Sequence, residues 1–123
     1  MKFNNSYIHL KDVRFYAFHG VLPQERTVGA YFILNVCVKV DFAKAAISDE
    51  LSDTVSYADI YQCAKTVMQT PCNLLEHVAQ KLCTALYEKF PEILAINVTL
   101  EKENAPIGIG AQGLAGITLE TSR

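Results

Sequence analysis

Phe32-Ile33-Leu34-Asn35-Val36-Cys37-Val38-Lys39-Val40 is the stretch on which the fold turns. Phe32, Leu34, Val36, Val38 and Val40 share one side, while Asn35, Lys39 and Asp41 share the other with Ile33 and Cys37. A period of two with an unbroken apolar side is a half-buried strand, so the chain holds a sheet with one covered face. The cover lies downstream. Ser56 with Asp59 three residues on is a capping-box-like start. It predicts a helix over about Tyr57 to Met68 with Ile60, Ala64, Val67 and Met68 as its apolar stripe. Pro71 separates this helix from a second start, Asn73 with Glu76 three residues later. The second helix runs over about Leu74 to Phe90, with Leu75, Val78, Ala79, Leu82, Leu86 and Phe90 near a 3.6 period, and Pro91 stops it.

Upstream, Tyr7 to Leu10 and Val13 to Phe18 alternate as one strand with an irregularity at Lys11-Asp12, and His19-Gly20 breaks it. Val21 to Gly29, between the first two strands, is longer than a tight hairpin turn and reads as an ordered, functional loop whose most reactive residue is Glu25. A polar stretch, Ser48 to Val55, precedes the helices. Two strands follow them: Ile96 to Lys102, alternating cleanly, and a weaker one near Leu114 to Glu120. The order ββααββ predicts an α+β protein, a four-stranded antiparallel sheet with both helices on one face. Such an open sheet leaves two edges, and closure with other subunits is one remedy.

Composition agrees with one unit spanning residues 1–123: half of the residues are hydrophobic and a fifth charged, enough to bury a core without disulfides or a structural metal. Eleven Lys plus Arg against 13 Asp plus Glu, with neither sign in a block, leave no electrostatic footprint for nucleic acid or an anionic membrane. A small-molecule or protein partner is favoured. Cys37, Cys63, Cys72 and Cys83 form no C-x-x-C pair and read as reduced thiols. The N-terminal residues lack the apolar run of a secretory signal, and no stretch approaches the ~20 apolar residues of a membrane span, so a soluble cytoplasmic protein is expected.

Lys102 is the most informative residue for chemistry, because it continues the inward parity of Ile96, Val98 and Leu100 at the strand's end. Desolvation there disfavours the ammonium form, the direction needed for proton transfer near neutral pH. A stem packed on the sheet with its head in water is the commoner arrangement at such a position. Glu76, third residue of its helix, can cap Asn73. It can also face a ligand at the helix start, where a carboxylate beside free backbone N–H groups suits the amidine-like edge of a 2-aminopyrimidinone. Tyr57 begins the other helix after Thr54-Val55-Ser56 and can pack, donate a hydrogen bond or donate a proton. Read singly, Glu25 is a solvated carboxylate and His19 a turn or core histidine with a satisfied ring. His9, His19 and His77 form no metal-ligand spacing, so no catalytic metal is expected, and no Gly-rich phosphate loop opens a helix.

Taken together, these elements resemble the dihydroneopterin aldolases of the folate pathway over nearly the whole chain. The resemblance rests on Arg14-Phe15-Tyr16-Ala17-Phe18-His19-Gly20-Val21-Leu22, then Glu25, then Ser48-Asp49 through Asp53-Thr54-Val55-Ser56-Tyr57. It continues in Asn73-Leu74-Leu75-Glu76-His77 and Lys102-Glu103-Asn104-Ala105-Pro106-Ile107, in family order. The resemblance implies a tunnelling fold whose sheets join into an oligomeric barrel, commonly two stacked tetrameric rings forming a homo-octamer, with sites between adjacent subunits. It implies that Glu76 holds the pterin's amino-pyrimidinone edge, assisted by backbone groups of Leu75 and Val55, and that Lys102, Tyr57 and Glu25 are catalytic.

The implied reaction is a cofactor-free lyase step: 7,8-dihydroneopterin loses glycolaldehyde and leaves 6-hydroxymethyl-7,8-dihydropterin, with no metal and no enzyme Schiff base. Lys102, acting through a bound water that Glu25 orients, moves the proton, and Tyr57 protonates the intermediate. Epimerisation at the 2′ carbon shares the first step. Gly108-Ile109-Gly110-Ala111-Gln112-Gly113-Leu114-Ala115 departs from the more polar or aromatic residues often found there in the family. The competing readings are a zinc-dependent pterin synthase of the same fold and a non-catalytic pterin- or purine-binding oligomer.

Overall fold

The computed structural model describes residues 1–123. Strand β1 (Tyr7–Ala17) leads to a short helix α1 (Pro23–Val28), strand β2 (Ala30–Lys39) and a second short helix α2 (Ala43–Ser48). After a single 3₁₀ turn at Leu51–Asp53 come α3 (Tyr57–Met68), α4 (Leu75–Lys89), β3 (Ala95–Lys102) and β4 (Ala115–Ser122). The four strands lie in sequence order, each antiparallel to the next, so β1 and β4 are open edges. The two long helices cover one face: α3 packs on β1, α4 on β3 and β4.

The alternation in β2 accounts for that cover. Phe32, Leu34, Val36, Val38 and Val40 are each no more than 1% exposed, and they meet Ile96, Val98 and Leu100 of β3 beneath the helices. In β1 the parity of the apolar residues changes between Leu10 and Val13, and a bulge repairs it. Leu10 pairs with Val36 and Val13 with Leu34, leaving Lys11 and Asp12 opposite Asn35. Asp12 takes a left-handed φ of 55° and donates its N–H to Asn35 Oδ1 at 2.9 Å. Short polar side chains tolerate that conformation. Ile8, Leu10, Val13 and Phe15 therefore all pack against the core.

Four expectations from the sequence are corrected. The segment between the first strands is not loop throughout but contains the six-residue α1, which Pro23 starts and Gly29 ends at a φ of 76°. The region after β2 holds α2 and the 3₁₀ turn, both too short to show a period. Helix α4 begins one residue later than anticipated, with Leu74 as an N-cap that has no side-chain bond. Asn73 is therefore not the cap, nor Glu76 the third residue, because the Asn73 amide oxygen accepts from Arg26 instead. His19 is buried as expected but only half satisfied: Nδ1 accepts the Cys72 N–H at 3.0 Å, while Nε2 has no partner. Ser56 does cap α3, accepting the Ala58 N–H at 3.3 Å.

Candidate active site

Two depressions exceed 500 Å³. One lies on the sheet's uncovered face, lined by Tyr7, His9, Asn35 and Asn97 among others, and holds no acid–base pair. The other, of about 620 Å³, opens at the end of the sheet where β3 finishes, and Glu25, Lys102, Arg14, Tyr31 and Glu103 line it.

Lys102 arrives there by the inward parity of β3, paired in register with the buried Phe32. Its ammonium forms an ion pair with Glu25 Oε2, and the two side chains are only 12% and 19% exposed. An isolated ammonium at that depth is costly, and the adjacent carboxylate offsets the cost. Glu25 is held by both oxygens, since Oε1 accepts the Leu22 N–H at 3.2 Å. The hydrogen bond from Lys102 keeps the Glu25 carboxyl below its ordinary value, against burial and with help from the Leu22 N–H. The residue after Lys102 is fixed as well: Arg14 grips Glu103 with two bonds of 3.0 and 2.8 Å while lying 3.5 Å over the Tyr31 ring.

The approach to α4 is tied to the same pole through Gly20 and Arg26. Cys72, three residues before α4, receives the Gly20 N–H on its carbonyl at 3.0 Å and gives its own N–H to His19. Leu75 and Glu76 keep backbone N–H groups with no acceptor in the chain, and the exposed Glu76 carboxylate has no partner either. An uncapped helix start beside a free carboxylate offers donors and acceptors together. Glu25, Lys102, Leu75 and Glu76 thus gather at one pole of the molecule.

Val55 and Tyr57 do not join them. Helices α3 and α4 are antiparallel across a six-residue connection that contains Cys72, so the start of α3 lies at the other pole, about 18 Å away along its twelve residues. At that pole Arg123 donates to the Tyr87 and Phe90 carbonyls at 2.8 and 3.0 Å, marking where α4 ends. Tyr57 is 67% exposed there, and the buried Val55 leaves both its N–H and its C=O without a partner in the chain.

Sequence reasoning missed Gly20 and Arg26. A β-carbon on Gly20 would stand 2.5 Å from Glu25 Cβ, so the Glu25 side chain folds down only because residue 20 has none. The His19-Gly20 break was the available signal. Nothing in the sequence distinguished Arg26 from a surface arginine.

A four-stranded antiparallel sheet under an antiparallel helix pair, with a lysine–carboxylate pair at the strand end, makes this an α+β protein with an acid–base pair in a cleft. The family model for dihydroneopterin aldolase matches residues 8–120, and the chain belongs to that family. Dihydroneopterin aldolase 1 of Arabidopsis thaliana is 42% identical over 99 residues, 80% of this chain and 68% of that protein. Dihydroneopterin aldolase of Streptococcus pyogenes serotype M1 is 37% identical over 117 residues, covering 94% and 98% of the two chains. Among solved structures, Escherichia coli dihydroneopterin aldolase in complex with neopterin superposes with a TM-score of 0.87 at 23% identity, covering 95% of this chain and 99% of that one. Uricase from Arthrobacter globiformis has the same fold over 95% of this chain and 48% of its own, with a TM-score of 0.66 at 11% identity. At these identities the structural likeness speaks for the fold alone.

Proposed function

We propose the following route for the dihydroneopterin aldolase reaction of folate biosynthesis, the activity that family membership gives this chain. Glu76 holds the amino-pyrimidinone edge of 7,8-dihydroneopterin through its carboxylate, with the Leu75 backbone beside it. The substrate's own C=N bond, adjacent to the side chain, accepts the electrons when the C1′–C2′ bond breaks, so the route needs neither a metal nor an enzyme Schiff base. Lys102, through a water oriented by Glu25, removes the 2′-hydroxyl proton. Glycolaldehyde leaves, and protonation of the resulting enamine at C1′ by Tyr57 gives 6-hydroxymethyl-7,8-dihydropterin. Re-addition before glycolaldehyde escapes yields the 2′-epimer.

The observation that carries this reading is the half-buried Lys102–Glu25 pair in a cleft at the same pole as the open N-terminus of α4. Tyr57 and the Val55 backbone are supplied by an adjacent copy. The open β1 and β4 edges, and the exposed Tyr16, Phe18, Leu22, Tyr31 and Leu74, support closure into rings and a homo-octamer. No helix is long and apolar enough to cross a membrane, which is compatible with a soluble cytoplasmic enzyme.

The test is incubation with 7,8-dihydroneopterin, with and without chelator, followed by chromatography. Undiminished 6-hydroxymethyl-7,8-dihydropterin in chelator upholds the route, whereas activity that disappears and returns with zinc refutes it.

A further inference from the structure

Glu25 stands on a helix that the core does not hold. None of the six residues of α1 is buried, so the apolar packing that fixes α3 and α4 does little for it, and an isolated helix of that length is unstable in water. Its ties are polar. Arg26, the next residue, donates from Nε to the Gly20 carbonyl at 2.9 Å and from Nη2 to Asn73 Oδ1 at 2.6 Å. Gly20 is the residue against which the Glu25 side chain lies, its added β-carbon falling 2.6 Å from Glu25 Cδ. Asn73 immediately precedes Leu74, the N-cap of α4. One guanidinium therefore grips the floor beneath the catalytic carboxylate and the approach to the helix that carries Glu76. A planar fork with several N–H groups serves two such acceptors at once, which a single ammonium does less well.

We propose that Arg26 is a positioning residue for the aldolase reaction, bridging Gly20 and Asn73 so that Glu25, and with it Lys102, keeps a fixed offset from the Glu76 end of α4. The inference rests on the roles given above to Glu25, Lys102 and Glu76. The pterin is held at one end of this offset and broken at the other, and displacements of about 1 Å between binding and reacting groups can cost ~10²-fold in rate. Arg26 is exposed, and its two bonds tie down α1, which adds no buried residue to the core that sets the thermal midpoint. Turnover and stability should therefore separate when it is removed.

The experiment compares kcat, KM, neopterin affinity and thermal midpoint for wild type, Arg26→Ala, Arg26→Lys, Asn73→Ala, Glu25→Gln and the Arg26→Ala/Glu25→Gln double variant. Arg26→Ala and Asn73→Ala should each lower kcat about tenfold or more, with neopterin affinity within about threefold and the midpoint nearly unchanged. Arg26→Lys should recover part of the loss. In the Glu25→Gln background, Arg26→Ala should cost less than about twofold, because no carboxylate remains to be placed. Wild-type kcat in Arg26→Ala, a full multiplicative loss in the double variant, or a kcat loss that merely tracks the folded fraction would each overturn the proposal. If Glu25→Gln itself keeps wild-type kcat, the catalytic role of Glu25 fails and this inference falls with it. A loss in Glu25→Gln but none in Arg26→Ala removes the positioning role alone.

Discussion

The Lys102 ammonium and the Glu25 carboxylate meet across 77 residues of sequence, the lysine at the end of β3 and the glutamate on α1. Each side chain is the other's only ion-pair partner, so the two act as a unit. Lys102→Ala should lower kcat by about 10²–10⁴-fold while neopterin affinity falls far less. Single-turnover kinetics beside equilibrium titration checks this, and wild-type turnover in a folded variant would remove Lys102 from the reaction.

Glu76 sits outside that unit, with a carboxylate free of any partner in the chain. Glu76→Ala should therefore act on binding, raising the neopterin dissociation constant by roughly 10–10²-fold per charge-assisted bond lost, on the order of 1.5–3 kcal/mol each. Calorimetric titration reads it directly. An unchanged dissociation constant would place the pterin edge elsewhere.

The opposite poles of Tyr57 and Lys102 make a prediction for mixed assemblies. Tyr57→Phe and Lys102→Ala should each be impaired alone, yet equal amounts refolded together should regain activity, because sites between unlike subunits can receive both native residues. With random mixing about a quarter of the sites are intact. Failure to regain activity in assemblies of confirmed mixed composition would mean that no site is shared in this way.

Much of this was legible in the sequence. The bounds of α3 follow from Ser56 and the apolar stripe, and strict alternation from Ile96 onward was enough to turn Lys102 inward. Helix α1 was not, since six residues make fewer than two turns and show no period. The cap of α4 was misjudged for a different reason. Asn73 has the right chemistry for a cap, but an arginine 47 residues earlier takes its oxygen, and local patterns do not register such a competitor. The polar separation of Tyr57 from Lys102 also needed the helix pair in place.

His19 sets a pH limit on the fold. It is 2% exposed, and burial first, then the charges of Arg26 and Lys81, lower its pKa from 6.5 to about 4. Between those values the unfolded chain takes up a proton that the folded chain refuses. Stability from this residue is thus complete above about pH 6.5 and declines as pH falls toward 4, by up to ~3 kcal/mol. Glu25 works in a separate window: its carboxyl lies below its ordinary 4.5, so its contribution persists above that value and is lost only under stronger acid. Urea midpoints from pH 7.5 to 4.5 should fall for wild type and stay flatter for His19→Gln. Parallel curves would show that His19 does not carry the effect.

A helix with no buried residue, tied down only by polar bonds, also has a meaning for heat. Segments held in this way open at a smaller free energy than the core, so α1 should melt out as a local event while α3, α4 and the sheet stay intact. Turnover would then fade on warming before the far-ultraviolet signal changes, and return on cooling as long as the core has not opened. The ceiling on the working temperature would be set by six residues at the rim of the sheet, not by the apolar mass beneath it.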